Sequence, residues 1–302
     1  MTGQPWRRRL LAHGVFWRQL LRWGVFNIPP WLEPIAIGFW SLLFLLWTAG
    51  RRGVMANLAM MKPTSTTAGN LFRTYRVFWN HAWTIADNVR FKELRTVPDW
   101  QFLGTSHYEA LQACQGGAII LTAHMGSYDL GAQLFAEHAD RRIVMVRAPE
   151  IDPETRRFEE EVKDRTVDER LQVGFNTQAS DLAFELLDEL RQGHIIAIQG
   201  DRVTPGIASM NTTLFGKTVA LPAGPFALAM ASGVPIYPLF VVRRGRRRYG
   251  LLTFEPIHVV RRSRDRDEDM RAAMARWTDV LQQVGSAYWF QWFNFYPYAE
   301  KA

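Results

Sequence analysis

Apolar and polar residues alternate along the central part of the chain in a pattern that predicts strands between helices. Short apolar runs bounded by turn residues are typical of buried strands, and apolar residues spaced three and four apart are typical of helices. Strands are predicted at residues 118–123, 143–146, 195–199, 235–242 and 249–254. Helices are predicted at residues 71–89, 130–138, 153–168, 181–191, 225–232 and 267–284. This order predicts an α/β fold with a single, mostly parallel central sheet flanked by helices.

The first 60 residues follow a different pattern, rich in Trp and Arg. Residues 34–50 carry no charge, but they are fewer than the about 20 residues that a membrane-spanning helix needs. Arg residues flank this run on both sides, so the positive-inside rule favours neither orientation. We expect a helix that dips into one leaflet and returns, preceded at residues 6–25 by an amphipathic segment lying in the membrane interface. A buried core helix is the alternative, and a signal peptide is disfavoured because the apolar run starts late.

Composition adds a basic character and a preferred compartment. We expect a membrane-associated helical segment at residues 1–60 and an α/β domain at residues 61–302. The chain of 302 residues has a formal net charge of +7, which suits anionic lipid, phosphorylated substrates, nucleic acid or an acidic carrier protein. Its single cysteine, Cys114, excludes a disulfide within the chain and fits the reducing cytoplasm or its membrane face.

Polar side chains follow three of the predicted strands. The first strand runs into Thr-Ala-His-Met-Gly-Ser-Tyr-Asp at residues 122–129, the second ends near Arg147, and the third runs into Gly-Asp-Arg at residues 200–202. In open α/β sheets, ligands bind beyond the carboxyl ends of the strands. If these strands are parallel neighbours, their polar side chains converge at one edge of the sheet.

The pair His124 and Asp129 is the main candidate for chemistry. His124 ends a predicted strand and Asp129 begins a predicted helix, so a four-residue loop lets the two side chains turn towards each other. A carboxylate on one imidazole nitrogen fixes the tautomer and raises the basicity of the other nitrogen. We therefore predict His124 as a general base oriented by Asp129. The alternative is a loop histidine satisfied by a local hydrogen bond.

These motifs resemble those of the glycerolipid and lysophospholipid acyltransferase superfamily. His124 and Asp129 form an HX4D motif, Gly200-Asp201-Arg202 falls where those enzymes carry an acidic residue and an Arg, and Val-Pro-Ile-Tyr-Pro at residues 234–238 is similar to their Val-Pro-x-x-Pro motif. Over roughly residues 40–298 the chain resembles most the bacterial lipid A late acyltransferases, which add lauroyl or myristoyl chains. That similarity is carried by Arg51-Arg52, Asn57-Leu58, Phe215-Gly216-Lys217, Leu221–Pro225 and the aromatic segment Tyr288–Trp292.

The resemblance implies a reaction and its substrates. An acceptor hydroxyl would attack the acyl thioester of acyl carrier protein or coenzyme A, with no acyl-enzyme, cofactor or metal ion. Arg202, Arg147 and Arg170 would be candidates for binding a phosphate of the donor or acceptor, and Asp201 for holding Arg202 or the acceptor in place. The expected location is the cytoplasmic face of the bacterial inner membrane.

Two departures from the lipid A branch leave the acceptor open. That branch often has Glu where this chain has Asp129, and its basic carboxyl-terminal ending is replaced here by Asn-Phe-Tyr-Pro at residues 294–297. A lipid A precursor or related glycolipid is the expected acceptor, whereas mannolipids, ornithine lipids and lysophospholipids are alternatives. The oligomeric state is not predicted.

Other classes of function fit the sequence less well. The chain has no Gly-x-Ser-x-Gly nucleophile elbow of a serine hydrolase, and His124, His138 and His194 lack the spacing of metal ligands. Arg-rich residues 243–248 suggest nucleic-acid binding, but they fit better a hairpin facing solvent or lipid headgroups. An Arg-rich membrane-associated binding protein without catalysis is disfavoured because both members of the His-Asp pair are present.

The Arg-rich cluster at residues 243–248 also suggests how a donor is recruited. If the strand 235–242 runs parallel to the strand that ends before His124, the cluster reaches the same rim of the sheet as the histidine. A basic rim there would steer an acidic acyl carrier protein towards the site. Anionic lipid headgroups are the competing partner.

Overall fold

The structure confirms the alternation of strands and helices. This computed structural model describes residues 15–132, 141–147, 171–175, 181–204 and 206–298. Its strands are β1 (Asp99–Leu103), β2 (Ala118–Thr122), β3 (Ile143–Arg147), β4 (Leu171–Phe175), β5 (Ile195–Gln199), β6 (Ser209–Leu214), β7 (Lys217–Pro222), β8 (Ile236–Gly245) and β9 (Arg248–Thr253). Its helices are α1 (Val15–Asn27), α2 (Glu33–Phe44), α3 (Thr48–Met61), α4 (Thr67–Leu94), α5 (Thr105–Ala113), α6 (Asp181–Arg191), α7 (Gly224–Ser232) and α8 (Arg266–Ala287), followed by a 3-10 helix at Trp289–Gln291. The helix predicted at residues 153–168 lies outside the described residues.

Seven of these strands form one mostly parallel sheet, as predicted. Their order is β1-β9-β8-β2-β5-β3-β4. The five strands from β8 to β4 run parallel to one another, whereas β9 is antiparallel to β8 and carries β1 parallel to itself. Strands β6 and β7 form a separate antiparallel hairpin. The carboxyl ends of β2 and β5, which are direct neighbours, therefore meet at the same edge of the sheet.

The sheet is buried on both faces, and this explains the uninterrupted apolar runs of its central strands. Along β2, Ile119 and Leu121 pack into one core cluster, whereas Ile120 packs into the cluster on the other face. Helix α8 covers the first face, where Trp277 stacks on Phe240 with ring centroids 5.6 Å apart. Helices on both sides thus hold the strand ends in fixed positions.

The uncharged run near the N-terminus forms two helices. Helices α2 and α3 meet at an angle of 93°. Within the described part of the chain, no single helix is long and apolar enough to cross a membrane, and this bent pair is the one candidate by length and composition. Glu33, Ile37 and Ser41 recur every four residues and form the buried face of α2, which packs against α4.

Glu33 fastens α2 to the hairpin formed by β8 and β9. Its carboxylate is 5% exposed and accepts hydrogen bonds from Arg90 and Arg246, with an Arg247 guanidinium nitrogen at 3.5 Å. Removing one partner of such a buried ion pair leaves an uncompensated charge and is strongly destabilising. Arg246 and Arg247 are thus part of the attachment of the N-terminal helices to the sheet.

The Arg-rich cluster is therefore only in part the basic rim that the sequence predicted. Strand β8 does run parallel to β2, so the cluster lies beyond the same edge as His124. Arg243, however, lies over the ring of Trp83 at 4.9 Å and 3.9 Å from the carboxylate of Asp87. Only Arg244 and Arg248 remain as exposed members of the cluster outside the Glu33 network.

Candidate active site

The loop after β2 is fixed by a glycine at a position of close backbone approach. Gly126 has φ +57°, and a Cβ on it would lie 1.7 Å from the carbonyl oxygen of Val241 on β8. Its N–H donates to the carbonyl of Gln291 at 3.0 Å, and the N–H of Ser127 donates to Val241 at 3.0 Å. Since only glycine fits this conformation and this space, Gly126, the third residue of the HX4D motif, determines where His124 lies.

A second glycine carries the neighbouring strand into the site. The N–H of Gly200 donates to the carbonyl of Thr122 at 2.8 Å, so the β2–β5 ladder continues past the end of β5. A Cβ on Gly200 would lie 2.5 Å from the side chain of Leu121, and its carbonyl accepts a hydrogen bond from the indole of Trp277 at 3.1 Å. The next residue, Asp201, is thereby brought beside the loop that carries His124.

His124 and Asp201 form a directly bonded pair. The Nδ1 atom of His124 lies 2.7 Å from Oδ1 of Asp201, and the backbone N–H of His124 donates to Oδ2 at 3.1 Å. The Asp201 side chain is fully buried, whereas that of His124 is 21% exposed. A buried carboxylate that holds one nitrogen of a partly exposed imidazole is an arrangement suited to a general base.

Two aromatic residues near the carboxyl terminus also bind Asp201. The indole N–H of Trp292 donates to Oδ2 at 2.9 Å, and the hydroxyl of Tyr298 donates to the same oxygen at 3.3 Å. Burial would raise the pKa of the Asp201 carboxyl, but the electrostatic interaction with the neighbouring His124 and the hydrogen bonds from His124 and Trp292 bring that pKa below its ordinary value. Asp201 is therefore ionised at neutral pH despite its burial.

Trp292 and Tyr298 were not among the site residues predicted from the sequence. The two lie 91 and 97 residues after Asp201, and no motif spacing connects them to it. The one available signal is the density of aromatic residues near the end of the chain, which the sequence analysis used only as part of a family resemblance.

Arg202 covers the second nitrogen of the imidazole. Its Nη2 atom lies 2.9 Å from Nε2 of His124, and its guanidinium lies 5.4 Å from the ring of Tyr296. Arg has only hydrogen-bond donors, so Nε2 must be the acceptor and Nδ1 must carry the proton that is shared with Asp201. The geometry thus assigns the tautomer protonated at Nδ1, which a base acting through Nε2 requires. In this structure Arg202 occupies the lone pair of Nε2.

The remaining predicted site residues lie at different distances from this centre. Asp129 is the second residue of the helical turn at residues 128–132 and is half-buried; the carboxylate bonded to Nδ1 is Asp201, and an orienting role for Asp129 stays a prediction. Arg147 is the last residue of β3, and only its backbone position is described. Arg170 lies outside the described residues. The predicted convergence at the strand ends therefore brings His124, Asp201 and Arg202 together.

A largely apolar cavity lies beside the strand ends that carry the pair. It is small and is lined mainly by side chains of β2, β3, β5 and β8. Thr122 and Gln199, the last residues of β2 and β5, form its polar part. The buried amide nitrogen of Gln199 has no hydrogen-bond partner among the described residues.

A comparison with known protein families matches residues 35–297 to the bacterial lipid A biosynthesis acyltransferases. The chain belongs to this family. Among curated proteins, it is similar to a phosphatidylinositol mannoside acyltransferase of Mycobacterium tuberculosis, with 24% identity over 179 residues, or 57% of this chain. The chain spans about half of that relative, 53% of its length. The resemblance inferred from the motifs is thus confirmed, and membership of an acyltransferase family agrees with a bonded His-Asp pair beside an apolar cavity.

Proposed function

We propose that this acyltransferase family member moves a fatty acyl chain from an acyl thioester to a hydroxyl of a membrane lipid, with His124 as the general base. The observation that carries the proposal is the pair of His124 and buried, ionised Asp201. A thioester is already activated, so a base, alignment and stabilisation of the oxyanion are what the protein must supply. No covalent acyl-enzyme is needed in this scheme.

In the proposed reaction the acceptor hydroxyl gives its proton to Nε2 of His124 as its oxygen attacks the thioester carbonyl carbon. The new C–O bond forms a tetrahedral oxyanion, which then collapses with cleavage of the C–S bond. The departing thiolate takes the proton back from the imidazolium. Asp201 remains ionised throughout and stabilises the imidazolium through Nδ1.

Arg202 is proposed to have two successive roles. At rest its guanidinium occupies the Nε2 lone pair, so it must move when the acceptor hydroxyl arrives. The backbone N–H groups from His124 to Ser127 already donate to protein oxygens, so these four groups are not available to an oxyanion. The displaced guanidinium, with several N–H groups beside the reacting atoms, suits stabilisation of the oxyanion or of a substrate phosphate.

The proposed donor and acceptor are supported by the lining of the cavity, by the relatives and by the exposed Arg residues. The small apolar cavity at the strand ends has the type of lining that an acyl chain contacts. The lipid A acyltransferase family and the phosphatidylinositol mannoside acyltransferase relative both support a glycolipid acceptor, and a lipid A precursor is our first candidate. The exposed Arg244 and Arg248, beyond the edge of the sheet that carries His124, favour acyl carrier protein as the donor over coenzyme A.

Acyl transfer from radiolabelled acyl thioesters to candidate lipids, measured by thin-layer chromatography, tests the proposal. With an acceptor present, acyl-lipid should form from acyl carrier protein thioester more efficiently than from coenzyme A thioester. Replacing Arg244 and Arg248 by Ala should lower kcat/KM for the carrier thioester several-fold and flatten its salt dependence, with little effect on the coenzyme A thioester. Arg191→Ala, an exposed Arg before the amino end of β5, is the control. Absence of transfer with all lipids tested would contradict the function, and equal losses with both donors would contradict the carrier assignment.

We propose further that the N-terminal helices contact the membrane, at the cytoplasmic face of the bacterial inner membrane. Large apolar side chains recur at spacings of three and four on the face of α2 opposite Glu33. Ile35, Phe39, Leu42 and Leu46 are each more than half exposed. Trp23, Phe26 and Trp31, in α1 and the following turn, are also exposed. An apolar patch of this kind on a protein surface marks an interaction site.

Replacing Ile35, Phe39 and Leu42 together by Ser should weaken binding to lipid vesicles. Complete burial of each apolar side chain contributes about 1.5–3 kcal/mol, so with the three side chains about half buried in the membrane we expect a loss of partitioning on the order of 100-fold or more. Sedimentation with vesicles of phosphatidylethanolamine and phosphatidylglycerol measures it. The matched control is Phe184→Ser, because Phe184 is 71% exposed on α6. Equal sedimentation of the triple variant and the wild type would contradict membrane contact through α2.

A further inference from the structure

The carboxyl-terminal segment, residues 292–298, passes from the catalytic loop to the N-terminal helices. We propose that this segment positions Asp201 for the reaction, and that Asn57 couples it to the N-terminal helices. The inference rests on the proposed function, because the residue being positioned is the partner of the general base. Trp292 and Tyr298, the first and last residues of the segment, are the positioning residues, because both donate to Oδ2 of Asp201.

Asn57, on α3, binds the segment at three backbone positions. Its amide nitrogen donates to the carbonyl oxygens of Asn294 at 3.1 Å and Tyr296 at 2.8 Å. Its Oδ1 accepts from the N–H of Tyr298 at 3.0 Å. Asn57 is 8% exposed, and both donors of its amide and its acceptor are used. One side chain therefore sets the path of the backbone that carries the Tyr298 hydroxyl to Asp201.

On the same face of α3, a glycine leaves room for the backbone of the segment. Gly53 lies one turn before Asn57, and a Cβ there would be 2.0 Å from the carbonyl oxygen of Phe295. The ring of Phe295 packs against Trp47 at 5.3 Å and against Phe78 at 5.9 Å. The seat of the segment thus spans the residue before α3, α3 itself and α4, and it does not depend on a single hydrogen bond.

His81 of α4 completes this seat. Its ring packs against Phe293 at 4.8 Å and Phe295 at 5.0 Å. Burial lowers the pKa of His81 to about 4, so the imidazole is neutral at physiological pH and the seat carries no charge there. Beside this contact, the N–H of Phe293 donates to the carbonyl of His124 at 2.7 Å. The segment therefore touches both members of the His124–Asp201 pair.

Through these contacts, the order of the His124–Asp201 pair depends on the position of the N-terminal helices. The hydroxyl of Tyr298 stays protonated and can therefore donate, because burial and the neighbouring charge of Asp201 hold its pKa well above the ordinary value. If α3 shifts, the backbone bonds of Asn57 shift with it, and the donors to Oδ2 of Asp201 are the groups that move. A displacement of α3 therefore reaches the catalytic carboxylate directly.

The test compares Tyr298→Phe and Asn57→Ala with Asn70→Ala. Asn70 is a matched control, since it is 6% exposed and its side chain is hydrogen-bonded to Ser65 and Arg73 and not to the carboxyl-terminal segment. Tyr298→Phe, which removes one oxygen atom, should lower kcat about 10-fold, the scale of one hydrogen bond to a charged group, and leave KM unchanged. Asn57→Ala should lower kcat at least as much. Asn70→Ala should keep the wild-type kcat after correction for the folded fraction.

A spectroscopic reading separates this inference from the proposed function. With ¹⁵N-labelled histidine, the wild type should show a low-field proton resonance from the Nδ1–H of His124, identified by its loss in Asp201→Asn. Asn57→Ala should shift or broaden that resonance, and Asn70→Ala should leave it unchanged. Unchanged kcat and resonance in both Tyr298→Phe and Asn57→Ala would overturn the positioning role. Absence of acyl transfer by the wild type would contradict the function alone, because the resonance is measured without substrate.

Discussion

Replacing His124 by Ala is expected to lower kcat for acyl transfer by about 10²–10⁴-fold, the usual contribution of a general base. The reason is that the acceptor hydroxyl would have to lose its proton to solvent in the presence of a bound thioester. KM for the donor should change little, since the imidazole contacts the reacting atoms and is not part of the apolar cavity. Single-turnover transfer from a radiolabelled thioester measures the effect.

The control for this variant is a measurement of whether it still folds. His124 is half-buried and lies in a loop whose path is set by Gly126 and by the backbone bonds of residues 126–127, so the variant should still fold. Its thermal unfolding temperature should fall, because Oδ1 of the buried Asp201 loses its bond to the imidazole. His194→Ala provides a matched comparison, because that imidazole is also bonded to a carboxylate, that of Glu189, but lies before the amino end of β5. Near-normal transfer by His124→Ala in a folded protein would show that the assigned base is wrong.

The fold could be predicted from the sequence wherever one face or both faces of an element are buried. Strand β5 and helix α6 have the predicted bounds, because apolar runs and helical spacing are direct consequences of burial. The hairpin of β6 and β7 was missed. Its strands carry Asn, Thr and Lys on exposed faces, and its turn depends on positive φ angles at Phe215 and Gly216, which a periodicity analysis does not detect.

Part of the candidate site could also be predicted, for a reason of topology. His124 and Asp201 follow adjacent parallel strands, so the rule that parallel strand ends meet brings them together without any side-chain information. The partner assigned to the base was a neighbour in sequence, Asp129, whereas the carboxylate bonded to Nδ1 follows the adjacent strand. Loop spacing shows which residues can approach each other. The close packing at Gly200 is what brings the carboxylate of Asp201 to the imidazole of His124.

The contributions of the two carboxylates can be separated by making the same change at each. Asp201→Asn should lower kcat on the order of 10³–10⁴-fold, the scale seen when Asp→Asn imposes the wrong histidine tautomer in a Ser-His-Asp triad. Asp129→Asn is expected to have a smaller effect, because the bond to Nδ1 comes from Asp201. The measurement is kcat for both variants with one donor and one acceptor, together with the thermal unfolding temperature of each.

The large effect at Asp201 follows from the donors that surround its Oδ2 atom. Three groups donate to that oxygen, namely the backbone N–H of His124, the indole of Trp292 and the hydroxyl of Tyr298. An Asn at this position must place its carbonyl oxygen there, which turns its NH₂ group towards Nδ1 of His124. The ring must then accept at Nδ1 and carry its proton on Nε2, where it can no longer take a proton from the acceptor hydroxyl. A larger loss in Asp129→Asn than in Asp201→Asn would contradict this mechanism and would give the orienting role to the carboxylate of the HX4D motif.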